Sequence, residues 1–320
     1  MNNHNTTKGY LFALLAALFL STTAIFIRHL TETYQVPALV LAFWRDVFVV
    51  MTLMPVFALV KPALLRVSER NLRYLIGYGL VLAFFNALWT LSVALNGAAV
   101  ATVLVYCSAA FTALLGWWLL KEPLGWGKVA AVVFSLIGCV LVAEAYNPAV
   151  WGINLGGISA GIGAGLAYAL YSLMGRSAAG RGLSPWTTLL YTFGFAGVIL
   201  LFANLIPGGP LPGSAVRAAD LLWLGDASAG WLVLFLLAAI PTVMGFGLYN
   251  VSLSHLPSSV ANLIVTLEPA FTAVTAYLLL GERLSPTQIV GGLVILAGVV
   301  ILRLFEEQQA MRAARISTVA

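Results

Sequence analysis

Apolar residues run along this chain in blocks of about twenty, separated by short polar or Gly/Pro-bearing breaks. A block of that length spans a bilayer as an α-helix, because each residue rises about 1.5 Å and the hydrocarbon slab is about 30 Å thick. Reading from break to break predicts ten helices, over residues 9–29, 37–60, 74–95, 97–120, 128–146, 156–174, 185–206, 230–253, 257–280 and 287–305. The expected fold class is an all-α membrane protein with ten transmembrane helices. Most connections are short. The longest, Pro207 to Gly230, is rich in Pro and Gly and is expected to be an external loop. The start, MNNHNTTKG followed by apolar residues from Tyr10 to Ile27, has the outline of a signal peptide. It lacks an A-x-A-type cleavage site and its block outruns an h-region, so it reads as a retained first helix.

One phrase occurs twice. AAFTALLGWWLLKEPL (Ala109 to Leu124) returns as PAFTAVTAYLLLGERL (Pro269 to Leu284), 160 positions later, with eight of sixteen residues identical and a glutamate, Glu122 or Glu282, in each copy. Ala101 with Ala261, Val105 with Val265, Gly138 with Gly298 and Val140 with Val300 extend the match. The chain therefore divides into a first five-helix repeat, 9–146, a second, 156–305, and a tail, 306–320. Five is odd, so the second copy is expected to enter the membrane upside down, as in transporters built from inverted repeats.

Composition rules out a water-exposed globule. The chain is 61% hydrophobic and 8% charged, with a mean hydropathy of +0.99, whereas soluble domains carry about 25% charged residues. Of the 16 basic residues, twelve fall on the side that holds both termini. Arg28, Arg217 and Arg283 fall on the other, and Arg45 lies within a span. Basic residues collect in cytoplasmic loops, so both termini are expected to be cytoplasmic. That asymmetry accounts for the pI near 9.3 without a nucleic-acid partner. Cys107 and Cys139 sit inside apolar blocks and imply neither disulfide nor metal site. The spans hold no HExxH, P-loop or His/Asp/Cys cluster, so neither an enzyme nor a cofactor is expected.

The repeated segment from Glu268-Pro269 through Gly281-Glu282, the glycines Gly291, Gly292 and Gly298, and the arginine in AFWRDVF (Ala42 to Phe48) resemble the drug/metabolite transporter superfamily, with two EamA-type repeats. The first copy departs from that pattern, with Ser108-Ala109 where the second has Glu268-Pro269. The resemblance is nearest to bacterial exporters of aromatic and neutral amino acids, and it implies export across an inner membrane. Drug-like amphiphiles and other metabolites are the alternative substrates, and a channel or scaffold is a further alternative. The partners expected are a small-molecule substrate and the lipid bilayer, with a monomer as the simplest assembly.

Charges inside spans cost about 2.5–3.5 kcal/mol each on insertion scales, so the three present, Arg45, Asp46 and Glu268, call for a role. Each has two readings: contact with a substrate group, or a buried polar tie between helices. Adjacent helix positions point about 100° apart, so Arg45 and Asp46 are expected to be poor partners for each other. A second group joins aromatic and small polar residues on single helix faces: Tyr78, Phe85, Asn86, Trp89 and Thr90 on span three; Tyr106 on span four; Tyr168, Tyr171 and Ser172 on span six; Thr242, Gly245, Tyr249 and Ser252 on span eight. Such faces suit either a packed interface or a pocket that stacks on a flat group. The candidate substrate-binding residues are Tyr78, Phe85, Asn86, Trp89, Tyr106, Tyr168, Tyr171, Tyr249 and Glu268, around a cavity lined by spans one, three, four, six, eight and nine. Gly157, Gly161 and Gly165 repeat every fourth residue, the pattern of close helix contact.

Overall fold

Four of the spans predicted as continuous helices are interrupted partway, and the interruptions organise the molecule. The computed structural model describes residues 3–120, 125–142, 146–256, 258–265, 267–294, 296–298, 300–301 and 304–305. The first span consists of α1 (Asn3–Leu20) and α2 (Thr23–Thr33). At the joint, Ser21 and Thr22 hydroxyls donate to the Leu18 and Phe19 carbonyls at 2.7 and 2.8 Å, competing with the helical ladder. α3 (Ala38–Val60) and α4 (Glu69–Asn96) follow. The fourth span is α5 (Ala98–Val105) and α6 (Ser108–Leu120), parted at Tyr106-Cys107. Next come α7 (Trp126–Val142), α8 (Pro148–Gly180) and α9 (Pro185–Asn204).

The eighth span is α10 (Ser228–Leu237), a π turn over Ala238–Thr242, and α11 (Val243–His255). Pro241 has no N–H to give the Leu237 carbonyl, and the Thr242 hydroxyl takes its place at 2.7 Å. The ninth is α12 (Ser258–Val265) and α13 (Glu268–Leu280). A last apolar helix, α14, covers Pro286–Gly298.

The backbone keeps the 160-residue offset. α5 and α12 begin at Ala98 and Ser258, while α6 and α13 begin at Ser108 and Glu268. The two halves break at equivalent places even though only the second carries a proline there. Proline therefore does not cause the first break; a tertiary contact through Tyr106 holds it.

Among the described residues, seven helical runs are long and apolar enough to cross a membrane, and two shorter apolar helices accompany them. The burial pattern agrees: Leu14, Leu18, Met51, Phe84, Phe202 and Leu278 face outward, while Arg45, Asp46, Asn86, Thr90 and Glu268 are buried. Lipid favours that inversion, since it solvates apolar side chains and leaves polar ones to pair inside. The chain is a multi-pass membrane protein.

α4 packs most extensively, against α8 and α9, and α1 lies along α11. The α8 glycines make the first contact possible. Ser92 on α4 donates to the Gly157 carbonyl at 3.3 Å. A Cβ on Gly161 would stand 2.8 Å from Ser92 Oγ, and one on Gly165 would stand 2.5 Å from Cys107 Sγ. Close packing is thus the use of that glycine stripe.

Candidate functional site

Three of the joints, in spans one, four and nine, meet one another. Tyr106, at the α5–α6 joint, places its hydroxyl 2.7 Å from the Val265 carbonyl oxygen at the end of α12 and 2.7 Å from Glu268 Oε2 at the start of α13. Thr272, one turn into α13, donates to the Ser21 carbonyl at the α1–α2 joint, at 3.0 Å. Each interrupted helix frees carbonyls that would otherwise be orphaned in an apolar interior, and side chains of the neighbouring joints satisfy them.

Around these joints lies a small cavity lined by Leu20, Thr23, Phe85, Trp89, Val105, Tyr106, Tyr168, Phe246 and Glu268. These residues come from spans one, three, four, six, eight and nine, the six expected to surround a cavity. Its free volume is about 20 Å³, enough for roughly one water molecule. The centre is therefore closed in this conformation.

Five of the nine candidate residues, Phe85, Trp89, Tyr106, Tyr168 and Glu268, line the cavity directly. Tyr78, Tyr171 and Tyr249 stand behind them in one aromatic cluster. Ring centroids are 4.7 Å apart for Tyr78 and Tyr171, 5.3 Å for Phe85 and Tyr168, and 5.6 Å for Tyr168 and Tyr249. The polar tips are largely engaged: Tyr171 donates to Asn250 Oδ1 at 3.2 Å, and Tyr249 shares a 2.8 Å hydrogen bond with Ser172. The Tyr78 hydroxyl faces that of Tyr171, and the Tyr168 hydroxyl faces that of Tyr249.

Asn86 stands apart from the other candidates. Its amide nitrogen donates to both Asp46 carboxylate oxygens, at 2.8 and 2.9 Å, and Arg45 Nε lies 3.7 Å from Asp46 Oδ1. Arg45 and Asp46 thus pair after all. The 100° between their Cβ directions is bridged by the long arginine stem, and burial of both leaves no better partner. This group ties α3 to α4 and lies outside the cavity lining.

Sequence reasoning missed Leu20, Thr23, Val105 and Phe246. Phe246 was within reach: it follows Thr242 by four residues and precedes Tyr249 by three, on the face already singled out. Its ring approaches Phe85, Tyr171 and Phe193 at 5.4–6.1 Å. Leu20 and Thr23 became central only because α1 ends where it does.

The transporter-like arrangement agrees with kinship. Residues 7–143 and 155–304 match the EamA-like transporter family, one copy in each half. The chain belongs to the EamA-like transporter family. It is thereby a member of the drug/metabolite transporter superfamily. An uncharacterized transporter of Archaeoglobus fulgidus is 28% identical over 292 residues, covering 90% of this chain and 93% of that one. The threonine/homoserine exporter RhtA of Salmonella typhimurium is 27% identical, covering 75% and 74%. A probable amino-acid metabolite efflux pump of the same species is 24% identical, covering 84% and 86%. One crystal structure shares the fold with a TM-score of 0.66 at 17% identity, covering 93% of this transporter and 98% of that chain.

Proposed function

We propose that this transporter exports small neutral or zwitterionic solutes, foremost amino acids including aromatic ones, by alternating access across an inner membrane. The observation that carries this reading is the closed centre where the broken spans meet, walled by aromatic rings and hydroxyls with, among the described residues, a single carboxyl group, Glu268. Stacking surfaces and a few fixed dipoles can take up an ammonium and a carboxylate without several buried ion pairs. A phosphorylated substrate would call for a cluster of buried Lys or Arg. Similarity to a threonine/homoserine exporter and to a probable amino-acid metabolite efflux pump supports export of an amino acid.

Ten crossings in two inverted halves are part of the proposal. Three contacts support them. Gly9 approaches Leu256 at one end of the bundle. Gly127 approaches Phe305. Glu282 meets Ala98 at the end that also holds Arg28. Lys61, Arg66, Arg70, Arg73, Arg176 and Arg181 lie in or beside the links at the Leu256 end, which we assign to the cytoplasm with both termini.

Tyr106, Glu268, Phe85, Trp89 and Tyr168 would touch the solute, with Tyr78, Tyr171 and Tyr249 shaping the wall. Purified protein in liposomes should take up labelled phenylalanine or threonine saturably, and Trp89→Ala and Tyr168→Ala should impair uptake without loss of folded protein.

One observation favours a second reading. An apolar groove of about 630 Å³ runs between α13 and α14, and Tyr106 forms part of its lining as well as that of the central cavity. A path from the lipid side would suit amphiphilic drugs, and competition by such compounds distinguishes this reading.

A further inference from the structure

The second repeated glutamate, Glu282, is unused by the site described above, yet it makes a built contact across the two halves. It follows Gly281, which ends α13 in the left-handed region at φ 68°. Glu282 Oε1 accepts from the Ala98 N–H at 2.9 Å and Oε2 accepts from the Ala99 N–H at 3.0 Å. These are the first two N–H groups of α5, which no intrahelical carbonyl can reach, and a carboxylate there also meets the positive end of the helix dipole.

The surroundings are shaped for this carboxylate. Gly97, at φ 83°, precedes α5, and a Cβ on it would stand 3.0 Å from Glu282 Oε1. Arg28 on α2 places Nε 3.5 Å from the same oxygen and donates from Nη1 to the Ala94 carbonyl at the end of α4, at 2.8 Å. Three elements, α2, α5 and the α13–α14 link, thus meet at one carboxylate, and Arg28 ties α4 to the group. α5 is consequently fastened to the second half at both ends. Glu282 holds its start, and Glu268, through Tyr106, holds its finish. A second cavity of about 230 Å³, lined by Arg28, Asn96, Gly97, Val100, Glu282 and Gln288 among others, lies against the clasp.

We infer that the Glu282 carboxylate on the α5 N-terminus, braced by Arg28, is the clasp that keeps this end of the transport route shut, and that this end opens when the carboxylate leaves the Ala98 and Ala99 N–H groups. The inference rests on transport through the central cavity. Its test reads access to that cavity and not transport, so the two claims can fail separately.

The reporter is a single cysteine at Val105, in the wall of the central cavity, in a protein whose Cys107 and Cys139 are changed to Ser. Its reaction with a membrane-impermeant maleimide is followed in right-side-out and in inverted vesicles. Glu282→Gln keeps the side-chain shape but loses the charge and one of the two acceptors. Ala98→Pro removes one N–H without touching the glutamate, at a first helical position where proline is well accommodated. Both variants should label at least threefold faster from the face bearing Glu282 and no faster from the other. Equal acceleration from both faces would show general loosening and overturn the clasp. Unchanged labelling in both folded variants would overturn it equally.

Discussion

Tyr106 and Glu268 are 162 positions apart in sequence and hydrogen-bonded at 2.7 Å, joining the broken fourth span to the broken ninth. Tyr106 caps α5, and Glu268 opens α13, so the contact fixes both interruptions at once. It also stands in the wall of the closed central cavity. Any opening of the centre that parts α5 from α13 must break it.

Tyr106→Phe keeps the ring and removes the hydroxyl, leaving Glu268 and the Val265 carbonyl without this buried partner. An unsatisfied buried group costs about 1–3 kcal/mol, so a lowered thermal midpoint in detergent is expected. Transport should fall further in Tyr106→Ala, which also removes the stacking face. Initial uptake rates in liposomes, normalised to folded protein, check this.

Asn86→Ala should destabilise the protein by about 1–3 kcal/mol, because the buried Asp46 loses its amide donor. Substrate affinity of the folded fraction should change little, since Asn86 lies outside the cavity lining. Thermal unfolding alongside substrate-concentration curves separates the two effects.

Two glycines make a matched pair. A methyl on Gly165 would come within 2.5 Å of Cys107 Sγ and 3.0 Å of the Val105 carbonyl oxygen, whereas one on Gly77 meets nothing within 4 Å. Gly165→Ala should push α8 from the α5–α6 joint, costing about 1–3 kcal/mol and slowing transport. Gly77→Ala should be neutral or stabilising by up to about 1 kcal/mol, as helix propensity allows. Unfolding midpoints of the two variants decide the matter.

Much of this was legible in the chain, and the exceptions have physical reasons. The apolar blocks located the described α-helices but not the short 3-10 turns at Pro62–Leu65 and Ala218–Leu222, and the 160-residue repeat marked Ser108 and Glu268 as equivalent, each the first residue of its helix. Pro269 announced the second break, but nothing local announced the first, because it depends on Tyr106 reaching a helix in the other half. The α1–α2 joint was equally hidden: Ser21 and Thr22 occur inside many intact helices, and only the Thr272 contact singles out this place. The aromatic faces of α4, α8 and α11 did converge, since several rings on one helix stripe pack best against rings. Asn86 shared that stripe but was drawn aside by Asp46, a charge that must be satisfied before any solute arrives.

Orientation is open to direct labelling. Ser68 and Ala219 are both exposed, the first before α4 and the second in the long link before α10. Cysteines at these positions should react with an impermeant reagent from opposite faces of the membrane, with Ala219 on the outer one. Reaction from one face would remove the basis for inverted halves.

The driving force is a further expectation. With Glu268 as the one carboxyl group among the described residues of the cavity wall, facilitated movement down the solute gradient is the expected mode. Uptake into liposomes should proceed without an imposed pH gradient. A strict requirement for such a gradient that is abolished in Glu268→Gln would instead make Glu268 a coupling site.

The central claim is that the closed aromatic centre is the binding site of an amino-acid carrier, and counterflow tests it most directly. Liposomes bearing the protein and preloaded with unlabelled phenylalanine or threonine should transiently accumulate the labelled form above equilibrium. The Trp89→Ala and Tyr168→Ala proteins should accumulate much less. Flux that neither saturates nor shows counterflow for any neutral amino acid, or full counterflow in both variants, would contradict the account.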